Sequence, residues 1–151
     1  MARLAVVNAV LNRLGPLTGP ADDPKRYWQP SSGDPVLVVG PNETGDADPA
    51  GGRFITVQFP VANEEMRSIG DPGNNLWVEE GVIRLVIGAE RNAGLNQALA
   101  WADELASLFR GQSFDGVQCW AVTSPQMDDR NEESGYYRVP LAIGFEHTLF
   151  G

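Results

Sequence analysis

The chain has 151 residues, 42% of them hydrophobic and 21% charged, a composition typical of a folded domain rather than a disordered or membrane-spanning protein. Its 20 acidic and 11 basic side chains give a net charge of −9, which argues against a protein that binds nucleic acid phosphates. We therefore treat residues 1–151 as a single domain. One cysteine can form no internal disulfide, and no stretch has the pattern of a standard export signal, so we expect a cytoplasmic origin.

The first 60 residues are predicted to hold one helix and two strands. The helix spans residues 2–14, where apolar residues follow helical spacing and Gly15-Pro16 ends it. Its expected buried face consists of Leu4, Val7, Leu11 and Leu14. Four prolines predict no regular structure between Leu17 and Pro35. Two strands follow, Val36 to Val39 and Phe54 to Phe59, the second because apolar and polar residues alternate.

The second half is predicted to contain three strands and a long helix. A loop from Val61 to Asn75 leads into a strand from Leu76 to Gly88, with a bend or bulge at Glu79 to Gly81. The helix spans residues 93–110, with Asn92 capping its start and Gly111 its end. Its apolar residues, at 3.6-residue spacing, are Leu95, Ala98, Leu99, Ala102, Leu105, Ala106 and Phe109. The last strands span residues 117–123 and 136–148, separated by a polar loop from Ser124 to Ser134.

These elements predict an α+β fold: a mainly antiparallel sheet, covered on one face by the long helix plus the N-terminal helix, with long loops. The opposite face mixes apolar and polar residues in a way that is typical of a contact surface. Its expected members are Thr56, Gln58, Val82, Arg84, Val86, Trp120, Val122 and Ala142. Of these, we predict that a neighbouring subunit covers Gln58, Val82, Arg84 and Val86.

The sequence offers little catalytic or cofactor chemistry. The single histidine, His147, alternates with apolar residues, and we predict that it is a hydrogen-bonded residue of a sheet face. Cys119 is predicted to be a small buried side chain. No phosphate-binding glycine motif occurs, so we expect no cofactor. Three groups of carboxylates could be considered as metal ligands, although acidic residues are common in exposed loops. They are Glu43, Asp46 and Asp48; Glu79 and Glu80; and Asp128, Asp129, Glu132 and Glu133.

From Phe54 onward the chain resembles a known family. Four segments carry the resemblance: Phe54-Ile-Thr-Val-Gln-Phe59, Gly81-Val-Ile-Arg-Leu-Val-Ile87, Ala102-Asp-Glu-Leu-Ala-Ser-Leu-Phe109, and Gly135-Tyr-Tyr-Arg-Val-Pro-Leu-Ala-Ile-Gly-Phe145. Together they resemble the tail terminator proteins of long-tailed bacteriophages and related prophage or gene transfer particles. The resemblance covers about two-thirds of the chain and implies no catalytic residue; residues 17–52 match nothing that we can assign.

The resemblance implies a structural role in the virion. Such proteins form a ring, usually of six subunits, that caps the finished tail tube, stops its polymerisation and offers a surface to the head connector. The implied partners are the chain itself, the tail tube protein and the head-tail connector protein, while DNA passes through without specific binding. The implied location is the tail end at the neck, after assembly in the host cytoplasm.

The polar loops are the expected contacts with the tube or connector, because stopping a tube requires surfaces rather than a pocket. The residues that we predict for these contacts are Glu64, Glu65, Arg67, Asp128, Asp129 and Arg130. Two alternatives stay open at this point. One is another neck or head-completion protein of the same particles, and the less favoured one is a small α+β enzyme, which would need convergent titratable groups.

Overall fold

The computed structural model describes residues 3–22, 24–31, 33–41, 53–90, 95–123, 132–133 and 136–151. Within these ranges the chain forms two helices and nine strands. Their bounds, in chain order, are α1 Leu4–Leu14, β1 Leu17–Thr18, β2 Lys25–Trp28, β3 Val36–Val39, β4 Phe54–Met66, β5 Leu76–Glu90, α2 Leu95–Phe109, β6 Ser113–Phe114, β7 Val117–Val122, β8 Glu132–Glu133 and β9 Tyr136–Phe150.

The strands of the described residues join in one mixed sheet. Their order is β1-β2-β3-β4-β5-β9-β7-β6, and β8 pairs with β9 outside this path. Strands β3 and β4 are parallel, whereas β4, β5 and β9 are antiparallel neighbours. Strand β5 is paired along its whole length with β9, from Leu76 opposite Phe150 to Glu90 opposite Tyr136. The long β4-β5-β9 group is therefore the framework of the molecule.

The predicted fold class is wrong, because the structure is a large mixed sheet with two short helices rather than an antiparallel sheet covered by a long helix. Helices α1 and α2 have 11 and 15 residues, which corresponds to about 16 and 22 Å of length. Strands β5 and β9 have 15 residues each, and extended chain of that length spans roughly 50 Å. Two such helices cover only part of this sheet.

The core lies between the helices and one face of the sheet. On β9 every second residue from Val139 to Phe145 is buried, and on β5 the core face holds Ile83, Leu85 and Ile87. The buried strand residues of this face include Ile55, Val57, Ile83, Leu85, Ile87, Val139, Leu141, Ile143 and Phe145. Helix α2 contributes Ala98, Trp101, Ala102, Leu105 and Phe109. Leu99 is only half-buried, and Trp101, which was not among the predicted core positions, is 2% exposed.

Helix α1 is rotated relative to the prediction. Its buried residues are Val6, Ala9, Val10, Leu11 and Leu14, while Leu4 is 74% exposed. Most of this helix is apolar, so its periodicity alone allows more than one buried face. The N-cap residue Arg3 has no side-chain capping bond. Instead, its backbone N–H donates to Oε1 of Glu79 at 3.1 Å, and this carboxylate from β5 faces the positive end of the helix.

Two of the predicted connections are wrong. Lys25 to Trp28 form a strand, because the prolines at 24 and 30 flank this segment without interrupting it. The predicted loop from Val61 is also strand as far as Met66, so the connection to β5 is only residues 67–75. Most side chains from Pro60 to Met66 are exposed, and this part of β4 therefore lacks the apolar alternation by which a half-buried strand is recognised.

The ends and irregularities of the elements also differ in detail. The bulge is on β4, between Gln58 and Val61, and not at the predicted Glu79 to Gly81, where β5 pairs regularly with β9. Gly111 has φ +64° just beyond α2, as expected of a glycine that ends a helix. The predicted cap Asn92 lies outside the described residues. Strand β9 continues two residues past the predicted end at Thr148.

Candidate functional site

The face of the sheet opposite the helices, hereafter the far face, carries an apolar row across four strands. Val61 on β4 is opposite Val82 on β5, which is opposite Gly144 on β9. A Cβ atom at residue 144 would lie 3.9 Å from Cδ1 of Trp120 on β7, so the indole continues the row. Val61 is 48% and Trp120 52% exposed. We call these four residues the central row.

Charged residues lie on both sides of the central row. On one side, Nη1 of the exposed Arg84 donates to Oε1 of Gln58 at 3.0 Å. On the other side, Glu80 is directly opposite Glu146. The far face therefore has a single arginine on one side of the apolar row and, on the other side, two carboxylates that we call the anionic strip, each level two residues from the row along the strands. This arrangement is suited to contact with another protein surface.

Two predicted members of this face are placed differently by the structure. Val86 is only 4% exposed, between its cross-strand neighbours Thr56 and Pro140, so the chain itself already covers it. A neighbouring subunit is therefore not needed to cover Val86. Val122 packs against the core, because the pairing of β7 with β9 shifts between Cys119 and Val122 and reverses the side on which the strand places its residues.

Val86→Asp is consequently expected to lower the free energy of unfolding of the isolated chain by about 2–4 kcal/mol, since it places a carboxylate at a covered position. Urea unfolding at low protein concentration measures this effect. The exposed Arg84→Ala serves as the control and is expected to change stability by less than about 1 kcal/mol. An unchanged unfolding midpoint for Val86→Asp would show that the side chain of residue 86 is accessible to solvent.

The predicted loop contacts lie mainly on a strand. Glu64 and Glu65 belong to β4, and Arg67 follows it. On the helix side, Arg3 forms ion pairs with both Glu64 and the buried Glu79, with Nε 3.3 Å from Oε2 of Glu79. Nη2 of Arg67 lies 3.4 Å from Oε2 of Glu65 and 3.2 Å from Oε1 of Glu80. Asp128, Asp129 and Arg130 lie outside the described residues.

A groove lies between the segment after β2 and the outer side of α2. It is an open groove of about 610 Å³ lined by Trp28, Gln29, Ser31, Asp103, Glu104, Ser107 and Leu108. Ser31 donates its backbone N–H to Oε2 of Glu104 at 3.0 Å, and its hydroxyl also contacts that carboxylate. Trp28 meets Trp101 edge to face, with the ring centroids 6.2 Å apart. These contacts attach the β2 segment to α2.

His147 and Cys119 have the structural environments that the sequence predicts. Nδ1 of the half-buried His147 lies 3.0 Å from the carbonyl oxygen of Gly116, so the ring has a backbone partner. Cys119 is fully buried in the core. Burial raises the pKa of its thiol to about 11, and the positive charge of Arg13 offsets only part of this effect. The thiol is therefore protonated near neutral pH.

The raised pKa of Cys119 predicts a loss of stability in alkali. The thiol ionises near its usual pKa of 9.0 when the chain unfolds and near 11 when it is folded. The stabilisation that the protonated thiol gives the folded chain is complete below pH 9 and is lost as the pH rises through 11. The free energy of unfolding falls by roughly 2–3 kcal/mol over this range. Urea unfolding at pH 8 and pH 11 should show this loss relative to Cys119→Ala. Equal pH dependence in both proteins would contradict it.

The described residues contain no group of three or more His, Cys, Asp or Glu side chains that could hold a metal ion. Glu79 and Glu80 alternate along β5, Glu79 being buried beside Arg3 and Glu80 exposed beside Arg67. The candidate ligands Glu43, Asp46, Asp48, Asp128 and Asp129 lie outside the described residues, as do the side chains of Glu132 and Glu133. No helix in the described ranges is both long and apolar enough to cross a membrane.

Comparison with known families identifies the chain. The family model described as phage tail terminator protein matches residues 9–145, which is most of the sequence. The chain belongs to the phage tail terminator family. This result confirms the resemblance noted from residue 54 onward and extends it to the second half of α1 and the first three strands. No curated protein matches the chain. Membership of this family supports a structural role in the phage tail.

Proposed function

We propose that this protein is a tail terminator that assembles as a ring of six subunits, caps the finished tail tube and stops its polymerisation. The observation that carries the proposal is the family match over residues 9–145. In this role the ring sits in the virion at the neck end of the tail, after assembly in the host cytoplasm. Its partners are other copies of the chain, the tail tube protein and the head-tail connector protein.

The surfaces of the subunit support this role. A ring requires contact surfaces between subunits, and the far face has an apolar row with Arg84 on one side and two carboxylates on the other. We assign the subunit contact to Gln58, Val82 and Arg84 on this face. The end of the β4-β5 pair at Met66 and Leu76 carries Glu64 and Glu65, with Arg67 directly after it. We assign this end to contact with the tube or the connector.

The charge of the chain supports passage of DNA through such a ring. The net charge is −9, so six subunits repel phosphate groups rather than bind them. At this end of β4 and β5, four glutamates outnumber the two arginines, Arg3 and Arg67, that form ion pairs with them; the glutamates are Glu64, Glu65, Glu79 and Glu80. The genome can therefore move past the protein without being held by ion pairs.

The test uses purified tail tube protein that polymerises without a length limit. Added to growing tubes, the protein is expected to stop elongation and to appear in electron micrographs as a ring at one tube end. Tubes that grow equally long with and without it would overturn the proposal. Rings that bind the head-tail connector but not the tube would instead identify a neck protein of another kind.

A substitution on the far face tests the subunit contact. Val82→Lys is expected to leave the subunit folded, because this side chain is only half-buried, but to raise the concentration needed for ring formation at least about tenfold. Ser107→Lys, on the exposed side of α2, is the matched control and should form rings normally. Size-exclusion chromatography and ring counts in electron micrographs measure the difference. Normal rings from Val82→Lys would exclude this face as the contact.

A further inference from the structure

The anionic strip of the far face contains two carboxylates without a shared cation. Glu80 and Glu146 are directly opposite on β5 and β9, and like charges in such positions destabilise a sheet. The Glu64 and Glu79 pair on the other face has the same geometry, but there Arg3 bridges both side chains. On the far face, Arg67 reaches Glu80, and no described side chain forms an ion pair with Glu146. A cation from another molecule would therefore balance the negative charge of Glu146.

The far face itself offers that cation at a suitable position. Arg84 lies two residues from Val82 on one side of the central row, and Glu80 lies two residues away on the other side. If a second copy is rotated by 180° about an axis along the row, the two far faces meet and the strand direction reverses. Arg84 of each copy then faces Glu80 and Glu146 of the other, while Val82 faces Val82. The far face is thus complementary to itself in both charge and apolar character.

We propose that two copies of this chain associate through their far faces about a two-fold axis along the central row. The contact buries the exposed Trp120 and Val61 and supplies the missing cation to Glu146. Four strands about 4.8 Å apart and three residue levels about 7 Å apart give a footprint of roughly 400 Å² on each copy. Stable pairs bury about 800 Å² per partner, so this dimer forms reversibly and depends on concentration.

This dimer deepens the role assigned to the far face, and in that respect it rests on the proposed function. The same face is assigned to the contact between ring subunits, and a dimer covers it in both copies. At the concentrations where the dimer is populated, it therefore competes with the contacts between ring subunits, and a tube end that binds the subunits shifts them from dimer to ring. A weak dimer fits this purpose, because it is easily displaced during assembly.

Cross-linking distinguishes the two-fold contact from a ring contact. Only two-fold symmetry brings Val82 against its own copy, since a head-to-tail contact joins two different surfaces. Val82→Cys is expected to give a covalent dimer with a short bismaleimide, in good yield and within minutes. Ser107→Cys is the matched control and should yield at least tenfold less, and the buried Cys119 does not react in the native protein. Absence of a Val82→Cys dimer at about 1 mM protein would overturn the proposal.

Charge exchange provides an independent test by sedimentation velocity. Arg84→Glu and Glu146→Arg are each expected to raise the dimer dissociation constant at least about tenfold, because like charges then face each other. The double variant restores only the opposite charges at residues 84 and 146, because Glu80 is unchanged, and its dissociation constant should be at least about threefold lower than that of Arg84→Glu. Circular dichroism at each concentration verifies folding. A double variant that binds no more tightly than Arg84→Glu, or a wild-type protein that stays monomeric, would overturn the dimer, whereas failure of the proposed function shows only in the tube assay.

Discussion

Phe109→Ala is expected to lower the free energy of unfolding by about 3–5 kcal/mol, the usual cost of truncating a fully buried phenylalanine. Phe109 is at the last position of α2, is completely buried, and meets Phe114 edge to face with the ring centroids 5.8 Å apart. The substitution leaves a cavity where α2 joins the core. It also removes the contact that holds the short strand β6 against the helix end.

Urea unfolding followed by tryptophan fluorescence measures this loss. Ser107→Ala, on the exposed side of the same helix, is the control and should change the free energy of unfolding by less than about 0.5 kcal/mol. A loss of less than about 1 kcal/mol for Phe109→Ala would mean that the ring is not packed as the structure shows. Val82→Lys and Arg84→Ala are expected to keep the stability of the wild-type chain within about 1 kcal/mol, which separates packing from assembly.

Gly81→Ala should destabilise the chain by about 2–4 kcal/mol, although alanine is normally better than glycine within a strand. A Cβ atom at residue 81 would lie 2.3 Å from the carbonyl oxygen of Val61 and 2.8 Å from Cε1 of Phe145. The backbone oxygen belongs to the neighbouring strand and cannot move aside without opening the β4-β5 pairing. The glycine therefore allows the close approach of these strands at the point where the far-face row begins.

Gly144→Ala is the matched control, since residue 144 is also within a long strand of the same sheet. There a new Cβ atom would have its nearest contacts at 3.9 and 4.0 Å, on Trp120, which is ordinary van der Waals distance. Its expected effect is neutral or stabilising by up to about 1 kcal/mol. Thermal unfolding of both variants at low protein concentration measures this difference in stability. Equal stability of the two would show that residue 81 has room for a side chain.

Much of the candidate site was visible in the sequence because the central parts of β5 and β9 alternate between two faces. The alternation that places Ile83 and Leu85 in the core places Val82 and Arg84 on the opposite face, and the structure has this arrangement. The sequence also indicated two helices and the family. It did not indicate Trp101 as a core residue, although that ring follows Ala98 by three residues, a helical spacing that could have revealed it.

The sequence by itself determined which residues form the central strands, since burial on one face of a sheet imposes a period of two that is local and easily read. Only the tertiary structure decided the extent of β4, because the exposed residues from Asn63 to Met66 form a strand through pairing with β5 and not through their own pattern. It also decided that Val86 is covered and that β7 shifts register before Val122. Burial of one residue and pairing of another depend on neighbours distant in the chain, which no local pattern records.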